Sequence, residues 1–461
     1  MFLGRSEETE KLTKYYESGK SSLVVVYGRT GIGKTSFIKN FARDKEYFYY
    51  CAAQASDKHQ ISMLTESIKR QVGFYSVDDQ DGRDLTDTDV LLALMNKIES
   101  DTKLVIIDEF QNIIKQNKGF MDSIVKLVNG SLFDANVCVV LLSSSISWIE
   151  NSLVSSIGAA ALKISEFIKL KELSFVDTVR MFPSYSVPDS MMIYAITGGV
   201  PSYMAGLSDK LSVKENICKN ILNPDSYLRR EGGDYIKEEL RETSLYNTII
   251  KFIADGANKL NQLHNLTGFG RDKISVYLKN LAEREIVEKV FSYESDGREY
   301  TRKGLYRIKS GFTEFWFRYI YGNESMIETM SEEDFYDEYI KPTLNEFALE
   351  AFIKVGTEFV SIMDSMGKLP VKIERTGRWW GKNGNIDIIG VSHDQQYVIG
   401  KCNWLDDTFK FSDFEELMYN VGLAGIGKDY IYLFSKNDFD DELKEFASEN
   451  KNVNIISLND L

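Results

Sequence analysis

The residues best equipped for chemistry lie near the start of the chain, in Gly28-Arg29-Thr30-Gly31-Ile32-Gly33-Lys34-Thr35. The spacing is G-x-x-x-x-G-K-[ST], and each residue type has a physical reason to be there. Glycines let the backbone curl so that successive N–H groups converge on anionic oxygens. A helix starting where the loop ends adds its partial positive charge. Lys34 supplies a cation for the terminal phosphates, and the Thr35 hydroxyl an oxygen ligand for Mg²⁺. The expected ligand is ATP with Mg²⁺, bound through all eight positions. A second set of groups suits the same ligand. Leu104-Val105-Ile106-Ile107 reads as a buried strand and ends in Asp108-Glu109. Carboxylates at the C-terminal end of a strand lie where open α/β sheets bind ligands. Asp108 is expected to hold the Mg²⁺ shell, and Glu109 to polarise the attacking water. The next strand runs into Leu142-Ser143-Ser144-Ser145, and Ser144 is the expected sensor of the γ-phosphate. Lys34, Glu109 and Ser144 are thus the expected catalytic groups, with Thr35 and Asp108 as metal ligands.

These groups need a parallel sheet to hold them. Ser22–Val26, Lys45–Ala52, Lys103–Ile107 and Val137–Leu142 are short, β-branched, apolar runs bounded by turns or charges, which predicts strands. Helical patterns at Thr35–Asp44, Met63–Val72 and Thr88–Glu99 alternate with them. Strands alternating with helices predict a parallel α/β core over 1–150. Residues 151–239 show no convincing strand and read as a helical lid. Over 240–310, helices at Leu245–Ala254, Leu260–Leu266 and Arg271–Glu283 precede strands at Ile286–Tyr293 and Gly304–Lys309, with a turn at Asp296-Gly297 between them. That order predicts a winged helix-turn-helix. Residues 311–335, rich in aromatic side chains, read as a packed connector. A helix at Phe335–Lys354 then leads into strands at Val371–Glu374, Ile386–Val391 and Tyr397–Cys402, a helix at Phe411–Val421 and a strand at Tyr430–Leu433. Residues 336–461 therefore read as a second α/β domain.

Further residues extend the pattern into a family resemblance. Phe2-Leu3-Gly4-Arg5, with Glu7 and Glu8, resembles the entry segment of AAA-like and STAND-like P-loop ATPases. Asp108-Glu109-Phe110-Gln111 resembles the extended Walker B of the archaeal-type ATPases. Gly198-Gly199-Val200-Pro201 is similar to the G-x-P element of their helical lid, and Glu239-Leu240-Arg241-Glu242 to their lid-to-winged-helix junction. The resemblance implies that Gly4, Arg5 and Pro201 contact the nucleotide. It also implies an arginine soon after the sensor strand. Here Ser155-Ser156-Ile157-Gly158-Ala159-Ala160-Ala161-Leu162 has none, and Lys163 lacks arginine's planar fork. An arginine finger is worth about 10³–10⁵ in rate, so slow, switch-like hydrolysis is expected.

The end of the chain resembles the PD-(D/E)XK restriction-endonuclease-like domain that accompanies this family. Arg378-Trp379-Trp380-Gly381, Ile386-Asp387-Ile388-Ile389 and Gly400-Lys401-Cys402-Asn403-Trp404 line up with its hallmark segments. The resemblance implies a metal site built from a helix glutamate, here Glu350 or Glu346, the strand aspartate Asp387, and a Glu-x-Lys pair. That pair is replaced by Lys401 and Asn403, and Asn385 stands where an acid is common. A cation where Mg²⁺ needs an anion weakens metal binding, and Lys401 can instead pair with Asp387. A domain kept for binding or assembly is expected, and an ATP-gated nuclease is disfavoured.

Charge narrows the partners. The 461 residues carry a net charge of −14, so the chain is no uniform nucleic-acid coat. Residues 241–310 differ, with thirteen Lys and Arg against nine Asp and Glu, a balance of +4. Lys273, Lys279, Arg298, Arg302 and Lys303 offer phosphate contacts, so DNA is one expected partner. A protein partner or self-association through the same module is the other. The four cysteines show no C-x-x-C spacing and the three histidines are scattered, which disfavours zinc and disulfides. The expectation is a cytoplasmic protein with no membrane span.

Overall fold

A computed structural model describes residues 3–72, 91, 100–129, 136–293, 304–382, 384–405 and 407–460. The expected helix Thr88–Glu99 lies outside the described residues except at Leu91; Phe2, the Asp296-Gly297 turn, Arg298, Arg302 and Lys303 lie outside them entirely. The chain forms two compact units, Met1–Leu173 and Ser174–Leu461.

In the first unit, β1 (Ser22–Tyr27), β2 (Tyr47–Cys51), β3 (Thr102–Asp108), β4 (Asn136–Ser143) and β5 (Glu166–Lys169) form one sheet in the order β2-β3-β4-β1-β5. Every pairing is parallel. The central strands are buried on both faces, which is why β1, β3 and β4 read as continuous apolar runs rather than alternating ones. Leu12 of α1 (Ser6–Tyr16) joins Phe37 and Ile38 of α2 (Lys34–Phe41) in the core on one face. Leu64 and Ile68 of α3 (Asp57–Val72) and Ile124 of α4 (Phe120–Val128) cover the other.

The fifth strand corrects the expectation that 151–239 is wholly helical. Its four residues begin with Glu166 and end with Lys169, and only Ile168 is buried. So short an edge strand leaves no periodicity to read. It continues the sheet beside β1, and the first unit accordingly runs to Leu173 rather than 150.

The second unit begins with helices. α5 (Val187–Thr197) is capped by Ser186 and ends at Gly198, whose φ is 63°. α6 (Tyr227–Glu239) packs Gly232 against Trp316. α7 (Thr243–Ala254), α8 (Leu260–Thr267) and α9 (Arg271–Glu283) follow, then the antiparallel pair β6 (Val287–Val290) and β7 (Leu305–Ile308). Residues 311–340 are more ordered than a connector. They form helices and two π-helical turns, Trp316–Ile320 and Tyr336–Ile340. The helix expected to end at Lys354 is α10 (Lys341–Ser365), which carries on past Gly356. A Cβ there would meet Cys402 Sγ and Ile388 Cδ1, each at 3.2 Å, so the glycine marks close packing and not a helix stop.

The last sheet has the order β12-β11-β10-β9-β8, with β8 (Ile373–Trp380), β9 (Asn385–Ser392), β10 (Tyr397–Asn403), β11 (Tyr430–Ser435) and β12 (Val453–Ser457). β9 runs antiparallel to both its neighbours, β8 and β10, whereas β10, β11 and β12 run parallel. α11 (Phe411–Ala424) and α12 (Asp441–Glu449) complete it. α12 and β12 escaped the sequence reading. Among the described residues no helix is long and apolar enough to cross a membrane.

Candidate nucleotide site and a second polar cluster

All five strands of the first sheet point the same way, so their C-terminal ends share one edge. The loop 28–33 follows β1, Asp108 closes β3, and Ser144 follows β4. Gly31 and Gly33 adopt φ of 81° and 92°, which glycine reaches without a Cβ penalty. A Cβ on Gly28 would sit 2.7 Å from the Leu170 carbonyl oxygen, so the loop needs glycine there for space. Arg29, Ile32 and Lys34 are buried, while Thr30 is exposed. The Lys34 ammonium is held inside the loop, donating to the Gly28 carbonyl at 2.9 Å and the Arg29 carbonyl at 3.1 Å. Arg5 reaches the same loop from the start of α1 and donates to the Ile32 carbonyl at 3.1 Å. Gly4, beside it, has φ of 60°.

Thr35 and Asp108, the two expected metal ligands, lie within hydrogen-bond distance of each other. The Thr35 hydroxyl donates to Asp108 Oδ2 at 2.8 Å. The Tyr49 hydroxyl donates to the same oxygen, also at 2.8 Å. Tyr49 was missed, because a tyrosine among Tyr47–Tyr50 carries no motif; only the pairing of β2 with β3 brings it here. Burial and the Asp108 carboxylate push the Tyr49 hydroxyl well above its ordinary pKa, so it stays a donor.

Glu109 sits at φ 53°, in the left-handed region that costs a non-glycine residue on the order of 1 kcal/mol or more. Two backbone bonds fix it there: its own N–H donates to Asp108 Oδ1 at 2.9 Å, and Phe110 N–H to the Leu142 carbonyl at 3.1 Å. The turn swings the Glu109 side chain toward β4. Ser144 Oγ donates to Glu109 Oε2 at 2.6 Å, and Gln111 Nε2 donates to that same oxygen. Gln111 also lies 3.4 Å from Ser144 Oγ and is almost wholly buried. Its part in the site went unread, although it stands two residues after Glu109.

This geometry fits Mg-ATP. The loop is a cradle that a Cβ at Gly28 would obstruct, and Thr35 and Asp108 offer the hard oxygen donors that Mg²⁺ prefers. Pro201 belongs to the second unit, at the first turn of the helix Pro201–Met204.

The second unit gathers another cluster around Asp387, which is 1% exposed. Its Oδ1 accepts from Asn385 Nδ2 at 2.7 Å and its Oδ2 from the Cys402 N–H at 3.0 Å. Lys401 Nζ lies 3.7 Å from Oδ2, and Arg378 Nη2 lies 3.7 Å from Oδ1. Arg378 also forks onto Glu350, at 2.7 and 3.3 Å, and Arg307 of β7 reaches Glu350 at 2.9 Å. Glu350 is therefore the helix carboxylate nearest this cluster, whereas Glu346 pairs with Arg318. Burial opposes its ionisation, but Arg378 and Arg307 hold the Glu350 carboxyl below its ordinary pKa. Among the described residues, no three His, Cys, Asp or Glu side chains are grouped to hold a metal ion.

Comparison with known proteins matches two parts of the chain to different families. Residues 2–207 match the family described as an ATPase domain predominantly from Archaea. Residues 316–416 match one described as Archaea bacterial proteins of unknown function. The uncharacterized protein MJECL04 of Methanocaldococcus jannaschii is 30% identical over 408 residues, covering 88% of each chain. The uncharacterized ATP-binding protein MJ0423 of the same organism is 41% identical over 46 residues, 10% of this chain and 78% of its own. Among solved structures, the Walker-type ATPase PABY2304 of Pyrococcus abyssi is similar with a TM-score of 0.48 and 15% identity, over 69% of this chain and 96% of that one.

Proposed function

Because this chain belongs to the archaeal-type ATPase family and carries its ATP-binding domain, we propose that it works as a slow, Mg-dependent ATPase switch. The observation that supports this best is the state of Glu109. Its Oε2 is already the acceptor for both Ser144 and Gln111. To take a proton from water, that oxygen has to give up a partner first. Ser144 is the group to move, since its hydroxyl can turn from Glu109 to a γ-phosphate oxygen. The loop amides and Lys34 bind the phosphates, Thr35 and Asp108 hold Mg²⁺, and Gly4 and Arg5 border the nucleotide. The bound Mg²⁺ would supply charge neutralisation at the phosphates. No arginine in 155–162 adds to it, which favours slow turnover.

In this reading residues 240–310 are a winged helix and 336–461 a nuclease-like domain that no longer cuts. Arg378 and Lys401 crowd Asp387 with the positive charge a metal would otherwise bring. Nucleotide state would be passed to these two modules. Purified protein should bind Mg-ATP and turn over below about 10 s⁻¹ without a partner. Glu109→Gln should keep binding and lose about 10²–10⁴ in turnover. Faster unassisted turnover, or unchanged turnover in the variant, defeats the proposal.

A second reading has its own support. On α9, Lys273 and Lys279 are exposed, and so are Arg271 and Ser275. Such a face suits the phosphate backbone of DNA, with ATP controlling engagement. Its affinity for duplex DNA would then fall by at least about tenfold between 50 and 200 mM salt, and Lys273→Ala with Lys279→Ala would flatten the slope. A salt-independent affinity rules this out.

A further inference from the structure

Asp108, 2% exposed, has most of its hydrogen-bonding capacity in use. An ionised carboxylate has two oxygens and about four places to accept a hydrogen bond. Oδ2 takes two donors, the Thr35 and Tyr49 hydroxyls, each at 2.8 Å. Oδ1 takes the Glu109 N–H at 2.9 Å. Counting donors among the described residues, one place is left open, and it is on Oδ1. Mg²⁺ is commonly bound through few carboxylate oxygens and keeps several of its waters, so one open place suffices for a part in its shell. The donors therefore decide which oxygen of Asp108 can face the metal.

Tyr49 differs from the other two donors in what else it must do. The Glu109 N–H belongs to the left-handed turn, and the Thr35 oxygen is itself an expected metal ligand. The Tyr49 hydroxyl carries neither duty, and its backbone is pinned on both sides. β2 lies at the edge of the sheet. There Gln71, in the last turn of α3, engages both backbone groups of Tyr49: its Nε2 donates to the carbonyl at 2.7 Å and its Oε1 accepts from the N–H at 3.2 Å. Gln71 Nε2 also donates to Ser67 Oγ at 2.8 Å, which ties the amide to its own helix. On the other side Tyr49 lies opposite Ile106 of β3, two residues before Asp108 and on the same face of that strand. One side chain thus stands where a neighbouring strand would, and holds Tyr49 at the register from which its hydroxyl reaches Asp108. The tyrosine is half-buried, and phenylalanine would fill the same space. What the hydroxyl adds is the bond to the carboxylate.

We propose that Tyr49 is a positioning residue for the metal: its hydroxyl fixes the Asp108 carboxylate so that Oδ1 is presented to Mg²⁺ while Oδ2 stays with Thr35. This rests on the nucleotide reading above and deepens it. Groups that hydrogen-bond to a metal-ligating carboxylate from behind matter by about 10–100-fold in metal affinity. Loss of the hydroxyl would free a place on Oδ2 and let the carboxylate turn, with Thr35 left to hold it alone on that side. Nucleotide without metal depends on the loop amides and Lys34, and these do not act through Tyr49.

The test is binding of a non-hydrolysable ATP analogue to the full chain, by calorimetry in EDTA and in Mg²⁺, together with the Mn²⁺ affinity of the analogue complex, read from the paramagnetic resonance signal of free Mn²⁺. Tyr49→Phe should bind the analogue in EDTA within about twofold of wild type, and its complex should hold Mn²⁺ at least about 10-fold more weakly. In an Asp108→Ala background the same substitution should change Mn²⁺ affinity by less than about twofold, because the carboxylate through which it acts is gone. Wild-type protein that fails to bind the analogue even with Mg²⁺ removes the nucleotide reading, and this proposal with it. Wild type that binds, with Mn²⁺ affinity unchanged in Tyr49→Phe, overturns the positioning role alone. Equal weakening in EDTA and in Mg²⁺, or an undiminished effect in the Asp108→Ala background, makes Tyr49 a packing residue and overturns it as well. The EDTA measurement also reports whether the loop is native in the variant, so poor folding cannot pass for the expected result.

Discussion

Two carboxyls of the second unit, Asp387 and Glu314, are treated in opposite ways by their surroundings. Asp387 is ringed by Asn385, the Cys402 amide, Arg378 and Lys401. Glu314 has unpaired surroundings, and its pKa rises to about 7 through burial and the nearby Glu350. The sign of the consequence follows from proton binding. Between about pH 4.5 and 7 the folded chain keeps a proton that the unfolded chain has lost. The stabilisation is therefore complete below the ordinary glutamate pKa and disappears as pH rises through 7. Glu314→Gln removes the ionisation altogether. The variant and wild type should melt alike near pH 5, and the variant should melt higher at pH 8, by an effect on the order of 1–3 kcal/mol or a few degrees. Thermal melts at the two pH values check it, and a variant less stable at pH 8 would contradict the account.

At the scale of elements, the clearest constraint is α6 against the π-helical turn 316–320. A Cβ on Gly232 would lie 2.3 Å from Trp316 Cγ and 2.4 Å from its Cδ2. The indole cannot easily retreat, because its Nε1 donates to the Arg229 carbonyl at 2.7 Å and the ring is buried. Alanine in a helix interior normally gains about 1 kcal/mol over glycine. Here overpacking should outweigh that gain, and Gly232→Ala should destabilise by about 1–3 kcal/mol in chemical denaturation. Such elements also mark the limit of what sequence shows. β1, β3 and β4 were legible because strands buried on both faces are plain apolar runs, and the glycine loop because its chemistry fixes its spacing. Lys34, Thr35, Asp108, Glu109 and Ser144 do come to one sheet edge. β5 was illegible because one buried residue makes no pattern, and the π turns because a local widening of the helix leaves no mark in apolar spacing. Tyr49 and Gln111 entered the site through strand pairing and the left-handed turn at Glu109, neither of which is local in sequence.

At the scale of the whole molecule, each unit has cores made from its own residues. Those of the first run from Leu12 to Leu170, and those of the second from Phe175 to Leu458. The loop 28–35 that would hold the nucleotide lies in the first unit. A switch demands more, because a ligand changes a distant part only by binding two conformations with different affinity. Hydrogen exchange by mass spectrometry can separate local from transmitted effects. Mg-ATP should slow exchange in peptides covering 28–37, 108–114 and 143–146, and Lys34→Ala should erase this. If the protein is a switch, peptides of the second unit, α9 and α10 among them, should also change with ATP and not with ADP. Glu109→Gln, by preserving the ATP state, should make that second change persist. Exchange in the second unit that is the same without nucleotide, with ADP and with ATP would leave an ATP-binding domain joined to two modules that it does not control.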